Sequence, residues 1–250
     1  MENEVIEKEE NTKFDPKTMG LDFAAKLDIL FKLKIITVIV AGLTMIAFVI
    51  NTANPFTSDF YIELVLGIVV LVLNLAFSVV LIKLAKYHDG FNIAGVLYIF
   101  YAIVSFLKAI SDDGSKVLSL VNAVLDFLYL LKFSSIMIEI YTQVDLALKD
   151  SWRSYRKGYI CVIAIIFGCA VLAFVPLISG LAGLLLVFAV IASIVLAIWE
   201  FILLYKSAKS MRAFVSKSDD IPFPAQIHSD WEEEFRSTQN NKDDKDDKTE

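Results

Sequence analysis

The sequence predicts an all-α integral membrane protein: a six-transmembrane-helix bundle with short loops and disordered acidic cytoplasmic tails. Three observations predict it. Hydrophobic residues fill 57% of the 250 positions, more than a soluble domain carries, and they gather in long blocks. Positions 158–199 hold no charged residue at all. As one helix that block would run about 63 Å, roughly twice a bilayer core, so it folds back on itself. Pro176, Ser179 and Gly180 near its middle mark the turn, since proline and glycine close together punctuate helices. Finally, lysine and arginine alternate between connections in a way that only an even number of spans reconciles.

The elements follow in order. Residues 1–18 read as a disordered tail, with Glu2, Glu4, Glu7, Glu9 and Glu10 in its first ten positions and too few apolar residues to fold. Residues 19–34 set Phe23, Leu27, Leu30 and Phe31 on one helical face. This is either an amphipathic helix lying at the membrane interface or an early start to the first span. The membrane domain covers 35–208, with spans at about 35–51, 61–82, 91–107, 117–136, 159–178 and 181–202, each near the length a bilayer requires. Residues 209–250 form a mostly disordered tail, in which eleven acids face four bases after Ser218. The net charge of -6 thus comes from the ends and says nothing about a partner for the membrane part. About thirty polar and charged residues precede the first apolar run, so the first span serves as its own insertion signal.

Orientation rests on the basic residues. Lys26, Lys32 and Lys34, then Lys83 and Lys86, then Lys149, Arg153, Arg156 and Lys157, then Lys206, Lys209 and Arg212 fall on one side. The opposite connections hold only Lys108 and Lys116. The positive side is cytoplasmic, which places both termini there. The absence of any Asn-x-Ser/Thr sequon fits a bacterial inner membrane protein.

Chemistry is sparse. Metalloprotease, nucleophile-elbow, phosphate-loop and Cys-x-x-Cys signatures are absent. His88 and His228 stand apart from other metal ligands. Cys161 and Cys169 share one span and read as small apolar residues. No catalytic residue, cofactor, metal or nucleic-acid partner is expected; the lipid bilayer is.

The residue that needs an explanation is Asp126, at the centre of the fourth span. An acid there costs on the order of 3 kcal/mol, so it faces protein or water, and loss of solvent favours its neutral form. Ser119, Asn122, Asp126 and Tyr129 follow 3-4-3 spacing and share a face. Thr44, Asn74, Ser78 and Ser193 reach a similar depth, making a candidate central polar cluster. It reads either as a proton or cation site or as hydrogen-bonding glue between helices. Glu200, near the inner interface, reads as a boundary residue. Small residues at Ala164 and Gly168, and at Ala189, Ser193 and Ala197, suit close helix packing. In the tail, Trp231 and Phe235 stand four residues apart in a short helix that docks on a protein partner or stays solvated.

These readings favour a non-enzymatic accessory, scaffold or regulatory membrane subunit. The alternative is a small transporter or channel that uses Asp126. An intramembrane enzyme ranks third, and a cavity at the cytoplasmic interface grouping Glu139, Glu200 and Arg153 would raise it.

Overall fold

The computed structural model describes residues 16–53, 60–111, 116–172 and 179–217, and among them every regular element is helical. In order these are α1 (Pro16–Ala53), α2 (Phe60–Lys83), a 3-10 turn (Leu84–Lys86), α3 (Gly90–Ile110), α4 (Lys116–Val144), α5 (Leu146–Leu172) and α6 (Ser179–Lys217). The acidic tails before 16 and after 217, with Trp231 and Phe235, lie outside the described residues, as do the connection at Asn54 and Pro55, that at Asp112 and Asp113, and Pro176.

Each helix packs on its neighbours in sequence, and α1 packs on α6, so the six close into a ring. Short connections between long helices leave antiparallel neighbours as the simplest arrangement. Among the described residues four helices are long and apolar enough to cross a membrane: α2 with its following turn, α3, α4 and α6. Their large exposed side chains are aliphatic or aromatic, as at Val65, Val72, Phe100, Val124, Phe188, Ile191, Ile194 and Ile198. Such surfaces are compatible with lipid and unfavourable in water. α1 and α5 instead join a charged first half to an apolar second half.

At 38 and 39 residues, α1 and α6 run close to 60 Å, about twice the bilayer's hydrocarbon thickness. The surplus builds a base to the bundle, and the core lies towards that end. Phe23, Leu27 and Leu30 of α1 are buried there with Leu84, Phe91, Phe133, Trp152, Leu204 and Met211. Two expectations change accordingly. The 19–34 segment is the first half of α1, the early start of that helix rather than a separate interfacial one, and its apolar face packs into the bundle. The C-terminal tail begins later than residue 209, because α6 continues to Lys217 and buries Met211 and Val215. In both cases the apolar stripe finds a helical partner that period alone does not reveal.

Local chemistry sets the base connections. Asp145 separates α4 from α5, and its Oδ1 accepts the Leu148 N–H at 3.1 Å, an N-cap that satisfies one orphan donor of the new helix. Its Oδ2 accepts from the Ser210 hydroxyl of α6 at 2.9 Å. Between α2 and α3, Gly90 donates its N–H to His88 Nδ1 at 3.0 Å. This leaves the His88 proton on Nε2, which faces Glu139 Oε2 at 3.1 Å.

α2 and α3 approach closely at Gly95, where a Cβ would stand 2.6 Å from Ile82 Cγ1 and 3.2 Å from the Ile82 N and Ser78 O backbone atoms. Gly95→Ala is therefore expected to push the helices apart and cost about 1–3 kcal/mol. Gly42 has open space around it, so Gly42→Ala should be neutral or gain up to about 1 kcal/mol from helix propensity. Thermal unfolding of both variants in detergent checks the contrast, and equal midpoints would show that the α2–α3 contact is loose.

Candidate functional site

A chain of aromatic rings threads the centre of the bundle. It runs from Phe77 on α2 to Tyr98 on α3, with centroids 4.6 Å apart, then to Tyr129 and Phe133 on α4 at 4.7 and 5.7 Å steps. It continues to Trp152 and Tyr155 on α5 at 5.7 Å each, and reaches Trp199 on α6 at 6.2 Å. The tyrosines give this apolar core polar handles, and each buried phenol calls for an acceptor.

Two acids answer that call. Asp126 Oδ2 accepts from the Tyr159 hydroxyl at 2.9 Å, joining α4 to α5. Glu200, 3% exposed, accepts from the Tyr155 hydroxyl at 3.2 Å through Oε2, and its Oε1 is ion-paired with Lys34 of α1. Tyr155 and Tyr159 are one helical turn apart on α5, their rings nearly parallel with centroids 6.4 Å apart. The order Asp126, Tyr159, Tyr155, Glu200, Lys34 thus links four helices by polar contacts. Glu200 is not the solvated boundary residue its position suggests. The residue that changes its setting is Lys34, which enters from α1 at the matching level.

The expected central cluster divides into parts. Thr44, Asn74 and Ser78 lie among α1, α2 and α3. The Thr44 hydroxyl donates to the Val40 carbonyl and the Ser78 hydroxyl to the Asn74 carbonyl, each at 2.9 Å. The Asn74 Oδ1 accepts from the Tyr98 hydroxyl at 3.2 Å. Ser119, Asn122, Asp126 and Tyr129 share α4, where Asn122 Oδ1 and the Tyr129 hydroxyl are buried without a partner among the described residues. Ser193 stands apart, exposed on α6 and bonded to its own Ala189 carbonyl. Of the small-residue positions, Ala189 is buried, whereas Ala164, Gly168, Ser193 and Ala197 are exposed. A Cβ on Gly168 would meet open space, so among the described residues these four do not seat a neighbouring helix.

Glu139, Glu200 and Arg153 do not meet. Glu139 pairs with His88, Glu200 with Lys34, and Arg153 with Asp150. Among the described residues no group of three or more histidines, cysteines and acids is placed to hold a metal.

A second polar knot lies at the base. Asp22 of α1 receives Lys26, Lys86 and the Tyr87 hydroxyl. Burial acts to raise the Asp22 carboxyl, but the hydrogen bonds from Lys26, Lys86 and Tyr87 outweigh it and hold it well below the usual carboxylate range. Burial, then the bond to Asp22, pushes the Tyr87 hydroxyl up to about 12. A further ion pair, Arg212 with Asp28, ties α6 to α1. These contacts clamp α1 to the α2–α3 connection and to α6.

Sequence reasoning finds Asp126 but misses Lys34, Tyr98, Tyr155 and Tyr159. The available signal is weak: tyrosines one turn apart at span depth, and opposite charges at matching levels of the first and last helices. No family model, curated protein or solved structure matches the chain.

Proposed function

We propose that this chain is a non-enzymatic accessory, scaffold or regulatory subunit that spans a bacterial plasma membrane six times, with both termini in the cytoplasm. The observation that carries the reading is the closure of the deep acids: Asp126 is held by Tyr159, and Glu200 by Lys34 and Tyr155. Acids engaged in this way act as interhelical ties. The six spans are the four apolar helices plus the second halves of α1 and α5. The positive-inside rule supports the orientation, because the basic residues of α1, α5 and α6 stand at the base while Lys108 and Lys116 stand at the other end. The packed base then lies in the cytoplasm. The tail beyond it, with Trp231 and Phe235, supplies a docking segment for a protein partner.

A second reading, a small transporter or channel that uses Asp126 for a proton or cation, draws on the unpartnered Asn122 Oδ1 and Tyr129 hydroxyl beside that acid. A buried polar atom without a partner calls for an explanation, and a bound water or ion is one.

Asp126→Asn separates the two. An amide replaces the hydrogen bond that Tyr159 donates, so an accessory subunit keeps its fold and whatever assembly it supports. In liposomes the wild type and the variant should then show the same background proton and cation flux. A wild-type flux that the variant loses would establish the transporter reading instead. Reporter fusions after Asn54, Gly114 and Ser179 are expected to report outside, and those after His88, Ser151 and Lys217 inside. An inside signal at Gly114 would remove the third and fourth spans from the topology.

A further inference from the structure

Between α1, α2 and α3 lies a cavity of about 420 Å³, within the range of small-molecule sites. Small residues make the space: Ala41 on α1, Gly67 on α2 and Ala102 on α3. Phe106 forms an aromatic wall. The lining carries no charge, and its polar groups are Thr44, Asn74 and Ser105.

Asn74 gives the cavity its chemistry. The residue is 5% exposed, and its Oδ1 accepts from the Tyr98 hydroxyl at 3.2 Å. That orientation of the amide is the one that serves both groups, because turning it over would leave the buried Tyr98 O–H without an acceptor. With Oδ1 turned to Tyr98, the two N–H bonds of the Asn74 amide remain to donate, and Asn74 lines the cavity. An occupant that accepts from this amide gains a hydrogen bond away from water, and one without an acceptor forgoes it.

Depth narrows the occupant. Asn74 stands about 21 Å along α2 from Phe60 and about 14 Å from Lys83, near the middle of the apolar helix. Lipid ester carbonyls sit at the boundary of a hydrocarbon core about 30 Å thick, well away from that level. Acyl chains reach it but offer no acceptor. The donor therefore selects a molecule that carries a carbonyl into the hydrocarbon region on an apolar body, and the uncharged lining selects a neutral one.

We propose that this cavity binds a neutral lipophilic carbonyl compound of the long-chain quinone type. Its carbonyl accepts from the Asn74 amide, and its ring and tail lie against Phe106, Ala41 and Gly67. This site is separate from the Asp126 and Glu200 ties and does not depend on either reading of them.

The test uses the full chain in lipid nanodiscs with a photoactivatable azido-benzoquinone bearing a decyl tail, and peptide mapping of the label. Saturable labelling, at one site per chain, is expected on the α1–α3 segments around Ala41, Gly67 and Phe106. Unlabelled decyl-benzoquinone should compete, and dodecane should be at least tenfold weaker. Gly67→Leu should fill the cavity and cut labelling at least tenfold. Gly67→Ala should keep it, since a Cβ there meets Phe106 only at ordinary contact, 3.8 Å. The pair Asn74→Leu with Tyr98→Phe removes donor and phenol together, leaves neither orphaned, and should also cut labelling at least tenfold. Equal competition by dodecane would overturn the role of Asn74. Non-saturable labelling spread over the lipid-facing side of α6, or full labelling of Gly67→Leu, would overturn the site itself.

Discussion

Lys34→Met is expected to lower stability by about 3–5 kcal/mol, the usual result of removing one partner from a buried ion pair. The argument rests on what remains. Glu200 is all but excluded from solvent, and without Lys34 its carboxylate keeps, among the described residues, the Tyr155 hydroxyl. A lone hydrogen bond does not offset the loss of water around a charge. Glu200→Met should be costly for the mirrored reason, and it also orphans the Tyr155 phenol. The double variant Lys34→Met/Glu200→Met is expected to recover the part of the loss that comes from an unpaired charge, leaving the orphaned Tyr155 phenol, because well-packed apolar side chains commonly replace a buried pair at little cost. Thermal unfolding of the four proteins in one detergent gives the cycle directly. If the two single losses simply add in the double variant, the pair is not coupled and the tie between α1 and α6 lies elsewhere, for example at Arg212 and Asp28.

That pair also marks where the sequence stops being readable. The helical membrane character is legible because twenty-residue apolar blocks are a one-dimensional signal. Asp126 is legible because a charge inside such a block stands out. Glu200 and Lys34 are separately plausible as boundary residues, and their pairing depends on α1 closing the ring against α6, a contact that short-range periodicity does not encode. The same holds for Phe23, Leu27 and Leu30. Their stripe is visible in the sequence, but whether it meets lipid headgroups or other helices is decided by where the surplus length of α1 and α6 goes. The tyrosines are hardest, since an aromatic residue in a span suits lipid, interface and core alike, and only the ring-to-ring sequence from Phe77 to Trp199 sorts them.

Trp152→Ala is expected to destabilise the bundle by about 3–5 kcal/mol, the usual cost of emptying a large aromatic site. Trp152 is fully buried in the base, edge-on to both Phe133 and Tyr155 at 5.7 Å. Its indole N–H donates to the Ser207 hydroxyl at 3.0 Å, and the Tyr141 hydroxyl donates to the Ser207 carbonyl at 2.6 Å. One side chain therefore joins α4, α5 and α6 at the point where the aromatic chain meets the aliphatic core of Leu203, Leu204 and Ala208. Trp152→Phe keeps a ring against Phe133 and Tyr155 but loses the hydrogen bond, so it should cost about 1–2 kcal/mol. Phe188→Ala removes a phenyl ring from an exposed position on α6 and should stay within about 0.5 kcal/mol. Unfolding midpoints in detergent rank the three, and hydrogen exchange locates the change, with protection expected to fall first in 129–141 and 200–211. If Phe188→Ala proved as damaging as Trp152→Ala, stability would reside in the apolar shafts of the helices. If the ranking holds, stability resides in the base, where α1, α4, α5 and α6 extend their turns and the aromatic chain passes through Trp152.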